Sequence, residues 1–301
     1  MSAARTTLPE LRRPQLSCLL RESRLLQAIE CHDPLSAMLG DRAEAGSGTE
    51  RRYFDLLWAS GFSHATAMGL PDAGLAILER RLSMLADIAA STSKPILADG
   101  DTGGDAMALT YLCQRLEYLG VSGVIVEDKT GAKRTSLADD VSHELEDPVA
   151  FVDKIAFAKS RLRTDQFLIF ARTESLIAGL NVSAALERAR HYLCSPADGV
   201  VIHSKDRSGT EVLEFMRGYR QLQSELGIEK PLVCIPTVYN HMTGAELHAN
   251  GARIVIHGNH MIRAAYRGMQ LAAHSILEND RSFEAGGLCA PLNEVFECIG
   301  T

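Results

Sequence analysis

Residues 94–101 read KPILADGD, a short apolar run that ends in two aspartates separated by one glycine. Seven more apolar runs recur at fairly regular intervals along the chain. They are LLQAIEC (25–31), FDLLWASG (54–61), GVIVED (123–128), FLIFAR (167–172), GVVIHS (199–204), PLVCIPT (231–237) and RIVIHGN (253–259). Most are hydrophobic at nearly every position, as expected of parallel strands that are buried on both faces. The sequence therefore predicts eight strands of one buried parallel sheet.

Amphipathic segments with helical spacing separate these strands, for example at 74–92, 105–120, 147–162 and 181–195. Eight strand-then-helix units in roughly 250 residues predict an α/β fold of the (β/α)8 barrel type. We expect a single domain over 1–301, with an N-terminal tail or helix at 1–20 and extra C-terminal helices at 262–301. The stretch GDRAEAGSGTERR (40–52) predicts a polar loop between the first two units.

The composition excludes several classes of protein. The chain has 301 residues, 46% of them hydrophobic, and a net charge of −7, which argues against a nucleic-acid partner. The sequence has no run of 18 apolar residues, so no membrane span is expected. Seven cysteines without CxxC spacing favour reduced thiols in a cytoplasmic protein. The basic N-terminus lacks a following apolar segment, so no signal peptide is expected.

In barrels of this type, the chemistry gathers where the strands end at their carboxyl side. Every predicted strand from the second onward ends in polar or small residues. In chain order these are Ser60 and Gly61; Asp99 and Asp101; Glu127, Asp128 and Lys129; Arg172 and Glu174; His203, Ser204 and Lys205; Thr237 and Tyr239; Asn259 and His260. Because the seven sets are in register, we expect one site at this rim.

Asp99, Asp101 and Glu127 would bring three carboxylates from adjacent strands to the rim. Without a counter-charge, at least one of them would keep its proton. Mg²⁺ prefers oxygen ligands and keeps several waters, so it is the natural counter-charge. The alternative is an ordinary Asp-rich turn beside an unrelated surface glutamate.

Positive or hydrogen-bond-donating groups are expected at the same rim, from Lys133, Arg172, His203 and Lys205. They suit a small substrate with two or three negative charges. Taken alone, a strand-end histidine such as His203 is more often bonded to the backbone than catalytic. The hypothesis that His203 takes part in catalysis therefore depends on its neighbours at the rim.

The segments ADGDTG (98–103), EDKTGAKRTSL (127–137) and ARTESLIAGL (171–180) together resemble the phosphoenolpyruvate mutase and phosphonopyruvate hydrolase branch of the isocitrate lyase superfamily. The resemblance continues through AIECHDPLSAML, LWASG, IHSK, IPTVY and GNHMIRAA, over nearly the whole chain. It implies a barrel whose last helix is swapped between subunits of a homodimer or homotetramer. The lyase branch carries a loop cysteine, and none lies between Cys113 and Cys194, so isocitrate-type cleavage is not expected.

The resemblance also implies roles for individual residues. Asp99 would hold Mg²⁺, and Asp101 and Glu127 would reach the ion mainly through water. The other implied roles are Ser60, Gly61 and Phe62 for the substrate carboxylate; Trp58 for the pocket floor; Arg172 and His203 for substrate oxygens and the phosphoryl group; Asp72 beside the transferring group; and Lys133, Thr135 and Ser136 on a loop at 129–137 that closes over the site.

The loop at 129–137 separates two activities. The mutase pattern has asparagine at the position of Thr135. Threonine at this position is the hydrolase pattern, and its shorter side chain leaves room for water to approach phosphorus. We therefore expect a Mg²⁺-dependent phosphonopyruvate hydrolase. The alternative is a mutase that interconverts phosphonopyruvate and phosphoenolpyruvate.

Two departures from the family pattern leave further functions as alternatives. Gly131 and Ala132 replace the usual Phe-Pro pair before the loop lysine, and Gly103, Gly104 and Asp105 replace the usual Gly-Tyr-Gly-Asn after the aspartates. A looser loop could alter either activity. The remaining alternatives are decarboxylation or carbon–carbon cleavage of another α-keto acid, and a barrel that binds a keto acid without turnover.

Overall fold

Eight parallel strands form a closed barrel in the computed structural model, which describes residues 6–48, 51–75, 77–131, 133–136 and 142–300. The barrel strands are β1 (Leu26–Cys31), β4 (Leu56–Ala59), β5 (Ile96–Asp99), β6 (Gly123–Glu127), β7 (Leu168–Thr173), β8 (Gly199–Ile202), β9 (Leu232–Cys234) and β10 (Ala252–His257). Between β1 and β4, strands β2 (Glu44–Ala45) and β3 (Arg52–Tyr53) form a short antiparallel pair outside the barrel. Strand β10 pairs with β1 and closes the barrel. The eight predicted strands and the fold class are confirmed.

Helices follow every barrel strand and cover the outside of the barrel. Two short helices, α1 (Pro9–Arg12) and α2 (Gln15–Leu19), precede β1, and the others are α3 (Pro34–Arg42), α4 (Gly61–Ala67), α5 (Leu78–Ser91), α6 (Ala106–Tyr118), α7 (Pro148–Lys159), α8 (Val182–Leu193), α9 (Thr210–Leu226), α10 (Gly244–Ala249), α11 (His260–Asn279), a 3₁₀ helix (Glu284–Leu288) and α12 (Leu292–Ile299). The side chains of Asp105, Asp147 and Asn181 cap the first turns of α6, α7 and α8. No helix of the described residues has the length and hydrophobicity needed to cross a bilayer.

Two separate apolar clusters explain why the strands are hydrophobic at successive positions. In β6, Ile125 belongs to the cluster inside the barrel, whereas Val124 and Val126 belong to the layer between strands and helices. Successive side chains of a strand point to opposite faces, and here both faces are buried. Continuous hydrophobicity is therefore required by the fold.

Helix α2 closes the amino-terminal end of the barrel. Leu16 is fully buried in the interior cluster, and Leu19 and Leu20 pack against that cluster. Arg12 is also buried, and its guanidinium donates to the carbonyl oxygens of Ala89 and Thr92 at 2.5 and 2.9 Å. In the described part of the segment at 1–20, residues 9–12 and 15–19 are helical, and Arg12 and Leu16 are buried.

Two local predictions need correction. Helix α5 begins at Leu78 and not at residue 74, because the chain first turns at Gly74, whose φ of 72° is outside the helical range. The predicted polar loop at 40–52 contains the end of α3 and the β2–β3 pair in its described part. Polar composition predicted its exposure but not its pairing.

The C-terminal helices leave large apolar side chains exposed. Only Ile262 is buried in α11, and α12 buries none of its residues. Exposed apolar side chains include Met269, Leu277 and Phe296. The exchange of a helix between subunits stays a prediction.

Candidate active site

A cavity of about 350 Å³ opens at the rim where the barrel strands end. Its walls contain most of the predicted site residues, namely Trp58, Ser60, Phe62, Asp72, Asp99, Glu127, Lys133, Thr135, Ser136, Arg172 and His203. The ends of β9 and β10 and the residues after them add Ile235, Thr237, Gly258 and Asn259. The two other predicted residues, Gly61 and Asp101, contact Asp99. The predicted set therefore lies in one place.

Asp99 and Asp101 form the crowded pair that the sequence predicted. Asp99 ends β5, and Asp101 has a left-handed backbone with a φ of 51°, which aspartate tolerates better than most residues. The Asp99 carboxylate accepts the backbone N–H groups of Gly61 at 3.0 Å and Asp101 at 3.2 Å. The Asp101 carbonyl oxygen in turn accepts the Glu127 N–H at 2.7 Å. These bonds join the ends of three neighbouring strands.

Protein cations supply part of the counter-charge at this pair. The Lys133 ammonium contacts Asp101 Oδ1 and lies 3.4 Å from Asp72 Oδ1. On the other side, Arg81 of α5 donates to Asp101 Oδ2 at 2.5 Å and to the Asp99 carbonyl oxygen at 2.5 Å. Burial raises the pKa of Asp72, although Lys133 opposes that shift. The carboxylates at the rim are thus partly balanced without a metal ion.

Glu127 and Glu174 belong to a buried group of alternating charges. The sheet register places Glu127 beside Arg172, and Arg172 Nη1 lies 3.1 Å from Glu127 Oε1. Arg172 Nε donates to Glu174 Oε1 at 2.6 Å, and Lys129 lies 2.9 Å from Glu127 and 3.2 Å from Glu174. Burial alone would raise the pKa of Glu174, but Arg172 and its neighbours hold it well below the ordinary value. Glu174 is therefore ionised, and both glutamates contact the two cations.

Ser136 connects the loop at 129–137 to this group. Its hydroxyl donates to Glu174 Oε2 at 2.6 Å and accepts from Lys129 at 2.9 Å and Arg172 at 3.1 Å. With the Lys133 contact to Asp101, these bonds bring the described part of the loop to the cavity. Thr135 lies between the two anchors and lines the cavity. Ala132 and Leu137 lie outside the described residues.

His203 follows β8 and lines the cavity. Its Nδ1 accepts a hydrogen bond from Arg172 Nη2 at 2.9 Å, and a guanidinium can only donate, so Nε2 carries the proton of the neutral ring. Burial lowers the pKa of His203, although its contact with Glu174 opposes this. Nε2 is buried and has no hydrogen-bond partner among the described residues. It is a donor available to an oxygen of a bound molecule.

Ser60, Trp58 and Phe62 shape another part of the cavity. The Ser60 hydroxyl accepts the Ser63 N–H at 3.4 Å at the start of α4, which leaves its own proton free to donate. Trp58 is 3% exposed and belongs to the cluster inside the barrel, so it forms an apolar floor. Phe62 is more exposed than the other two side chains.

The donor atoms around Asp99 suit a hard divalent cation. A Cβ on Gly61 would lie 3.0 Å from Asp99 Oδ2 and 3.1 Å from Asp101 Oδ1, so glycine keeps these oxygens clear of a neighbouring side chain. Asp99 forms no ion pair with any described residue, unlike Asp101 and Glu127. Within the described ranges, no three His, Cys, Asp or Glu side chains converge on a common metal position. Mg²⁺ keeps several of its waters, so a single carboxylate such as Asp99, with water at the other positions, fits this ion.

Sequence reasoning missed Arg81. It lies on the outer helix α5 and not at a strand end, and an arginine of an amphipathic helix carries no signal that it reaches inward. The sequence predicts a rim position for Glu174, Thr237 and Asn259 but indicates no role for them. The structure brings Glu174 into the buried charged group and the other two into the cavity wall.

Asp128 has a different environment from Glu127, its neighbour in sequence. Its carboxylate accepts hydrogen bonds from Arg188 at 2.6 Å and Tyr192 at 2.5 Å, both from α8. Burial raises the pKa of Asp128, and Arg188 opposes the shift. Asp128 and Lys205 are not among the residues that line the cavity, so their strand-end positions did not predict a place in it.

Comparison with known proteins points to one family. A profile of the family described as phosphoenolpyruvate phosphomutase matches residues 16–277. A phosphonopyruvate hydrolase from Variovorax sp. (strain Pal2) is 33% identical over 287 residues, which cover 95% of this chain and 93% of that protein. A phosphoenolpyruvate phosphomutase from Tetrahymena pyriformis is 32% identical over 287 residues, which cover 95% and 90%.

Solved structures show the same two kinds of relative. The phosphoenolpyruvate phosphomutase from Streptomyces platensis subsp. rosaceus superposes with a TM-score of 0.87 at 32% identity, covering 95% of this chain and 94% of that one. A phosphonopyruvate hydrolase in complex with oxalate and Mg²⁺ superposes with a TM-score of 0.84 at 32% identity, covering 96% and 95%. Both relatives are enzymes, and their similarity to this chain is nearly equal.

Proposed function

Because this chain belongs to the phosphoenolpyruvate phosphomutase family, we propose that it is a Mg²⁺-dependent phosphonopyruvate hydrolase, which forms pyruvate and phosphate. The observation that carries the choice of hydrolysis is the position of Thr135 in the cavity wall. A threonine there is shorter than an asparagine and leaves space for a water molecule. The relative named phosphonopyruvate hydrolase, at 33% identity, supports the same choice.

Substrate binding uses the donors of the cavity. The Ser60 hydroxyl and the backbone N–H of Phe62 bind the substrate carboxylate above Trp58. Gly61 lies beside them, but its N–H already donates to Asp99 and is not available to the substrate. Arg172 and the Nε2–H of His203 donate to phosphonate oxygens. Both residues line the cavity, and His203 Nε2 is buried there without a hydrogen-bond partner among the described residues. Preorganised donors of this kind stabilise the charge that develops on a transferring phosphoryl group.

In the proposed reaction, the carbon–phosphorus bond breaks and its electron pair stays on C3 as the enolate of pyruvate. The oxygen of a water molecule bonds to phosphorus. One proton of that water stays on phosphate and the other ends on C3, so no further reactant is needed. We assign Asp72, beside Lys133, to hold the proton in transit. Mg²⁺ bound at Asp99, with Asp101 and Glu127 acting through water, would stabilise the negative charge of the enolate as a Lewis acid.

The loop contacts give the enzyme control over water. Lys133 and Ser136 anchor the described part of the loop to Asp101 and Glu174, on two sides of the cavity. A loop held in this way limits the entry of bulk water and strengthens the electrostatic contacts inside. The fate of the phosphoryl group then depends on the side chain at Thr135.

A mutase is the second candidate, because the phosphoenolpyruvate phosphomutase structure superposes with a TM-score of 0.87. In that reaction the enolate oxygen, and not water, bonds to phosphorus. Incubation of the purified protein with phosphonopyruvate and Mg²⁺, followed by phosphorus NMR, distinguishes the two. Free phosphate supports the hydrolase, and phosphoenolpyruvate supports the mutase. An unchanged spectrum would contradict both and leave other keto-acid chemistry or binding without turnover.

Thr135→Asn is expected to shift the products from phosphate towards phosphoenolpyruvate. The larger amide would fill the approach of water and hold the phosphoryl group by hydrogen bonding. The two routes share an intermediate, so an energy difference of ~1.4 kcal/mol changes the product ratio about tenfold. Phosphorus NMR on both proteins under identical conditions measures this ratio.

The matched control is Thr130→Asn, the same change in the same loop at an exposed residue that does not line the cavity. It should leave the ratio unchanged. A ratio that is equal in wild type and Thr135→Asn would remove the main support for hydrolysis over the mutase reaction.

We further propose that the chain is one domain and assembles as a homodimer or homotetramer through its C-terminal helices. The exposed apolar side chains of α11 and α12, among them Met269, Leu277 and Phe296, are those that a second subunit would cover. Light scattering should give two or four times the chain mass of 32.7 kDa. A monomer at micromolar concentration would contradict both the assembly and the helix exchange.

A cytoplasmic location is also proposed. Cys31, Cys113 and Cys234 are buried free thiols, and burial raises the pKa of each of them. Such thiols persist in a reducing compartment.

A further inference from the structure

Arg81 and Asp101 form an ion pair behind the candidate metal position. The side chains are 14% and 19% exposed, so the pair is largely shielded from water. Arg81 makes two contacts at once, with the Asp101 carboxylate and with the main-chain oxygen of Asp99. A guanidinium that bridges these two groups holds the turn between the aspartates in one conformation.

The ion pair changes the net charge of the side chains around Asp99. Three carboxylates, Asp72, Asp99 and Asp101, lie near two cations, Arg81 and Lys133. The set therefore carries one net negative charge. Without Arg81 it would carry two, which matches a divalent cation better.

The pair also limits what Asp101 itself can do. Lys133 contacts Oδ1 and Arg81 contacts Oδ2, so both oxygens of the carboxylate are engaged by protein cations. An oxygen committed to a guanidinium is a poorer ligand for a metal ion. Asp99, which forms no ion pair with a described residue, is the carboxylate left for direct coordination.

We propose that Arg81 is a positioning residue that acts as a permanent counter-charge for Asp101, keeps the two-aspartate turn formed without metal, and weakens Mg²⁺ binding. The inference rests on the proposed Mg²⁺ site and goes beyond it, because it concerns a residue of the outer helix α5. A weaker site lets metal occupancy follow the arrival of the anionic substrate, whose charge restores the attraction.

Titration of the substrate-free protein with MgCl₂ at low ionic strength, followed by calorimetry, tests this inference. Arg81→Met is expected to bind Mg²⁺ about tenfold more tightly than wild type, because a positive charge beside the ion is removed and Asp101 is released. The metal-free variant should also melt at a lower temperature, because Asp101 loses a buried partner. Arg81→Gln, which keeps a hydrogen-bond donor and loses the charge, is expected to change the affinity in the same direction if the methionine variant does not fold.

Arg80→Met is the matched control. Arg80 is the exposed neighbour of Arg81 on the same helix, so its removal should leave the Mg²⁺ affinity at the wild-type value. Asp101→Asn in the Arg81→Met background should cancel the gain, because the released carboxylate is no longer there.

Two results would overturn the inference in different ways. In the first, wild type binds Mg²⁺, and Arg81→Met and Arg81→Gln bind it with the same or lower affinity. That result would show that Arg81 is only a structural contact. The proposed function would survive that result. No Mg²⁺ binding by any of the proteins would overturn the metal site of the proposed function, and this inference with it.

Discussion

Asp99→Ala is expected to reduce kcat for phosphonopyruvate by about a thousandfold or more while leaving the barrel folded. Asp99 is the carboxylate at the rim that forms no ion pair with a described residue, and we assign it to direct coordination of Mg²⁺. Its loss would remove the Mg²⁺ ion that the proposed mechanism uses to stabilise the enolate. Steady-state kinetics and Mg²⁺ calorimetry on the same preparation measure both consequences.

The fold should survive this change, because Asp99 contributes polar contacts at the rim and little apolar packing. The lost bonds to Gly61 and Asp101 should lower the melting temperature by a few degrees only. Asp165→Ala, at an exposed aspartate far along the sequence, is the control for removal of a carboxylate. Near wild-type turnover by Asp99→Ala, with Mg²⁺ still required, would show that the metal lies elsewhere.

Arg172→Lys is expected to lower kcat about a hundredfold or more, although the positive charge is kept. The guanidinium donates in three directions, to Glu174, Ser136 and His203, and one ammonium cannot reproduce that fork. The loss of its bond to Nδ1 would also free His203 to turn away from the phosphonate. Kinetics with Mg²⁺ and phosphonopyruvate at saturation measure the change.

The conservative change is chosen to keep the protein folded. Complete removal of the charge would take away one of the two buried cations that Glu127 and Glu174 share, at a cost of about 3–5 kcal/mol, and would leave Lys129 to balance both carboxylates. Arg190→Lys, at an exposed ion pair with Glu225, should leave kcat unchanged. If Arg172→Lys keeps more than a tenth of the wild-type kcat, the fork geometry is not important for catalysis.

The two predictions concern neighbouring parts of one charged network. Asp99 lies at the end of β5 and Arg172 in β7, with Glu127 of β6 between them. Glu127 contacts Arg172 directly and its backbone is bonded to Asp101. The effects of the two changes on activity should therefore not be additive, as is usual for residues that share a network.

Much of this arrangement was decided by the sequence alone. A strand that is buried on both faces must be hydrophobic at every position, so the eight runs such as GVIVED identified the strands of a parallel barrel. The carboxyl ends of parallel strands share one rim, so residues at those ends, such as Asp99, Arg172 and His203, could be assigned to a common cavity. The motif around Thr135 pointed to the family for the same reason: its residues occupy fixed places on that scaffold.

Only the tertiary structure decided which charges meet. Arg81 reaches Asp101 from a helix outside the sheet, and Ser136 reaches Glu174 across 38 residues of chain. Asp128 follows Glu127 directly, yet it contacts Arg188 and Tyr192 of α8, because successive residues at a strand end point to opposite sides. Local pattern fixes which face of an element a side chain occupies, whereas its partner depends on the packing of distant elements. For that reason the sequence determined the barrel and the position of its rim, and the packing of helices and loop on the barrel determined the ion pairs of the site.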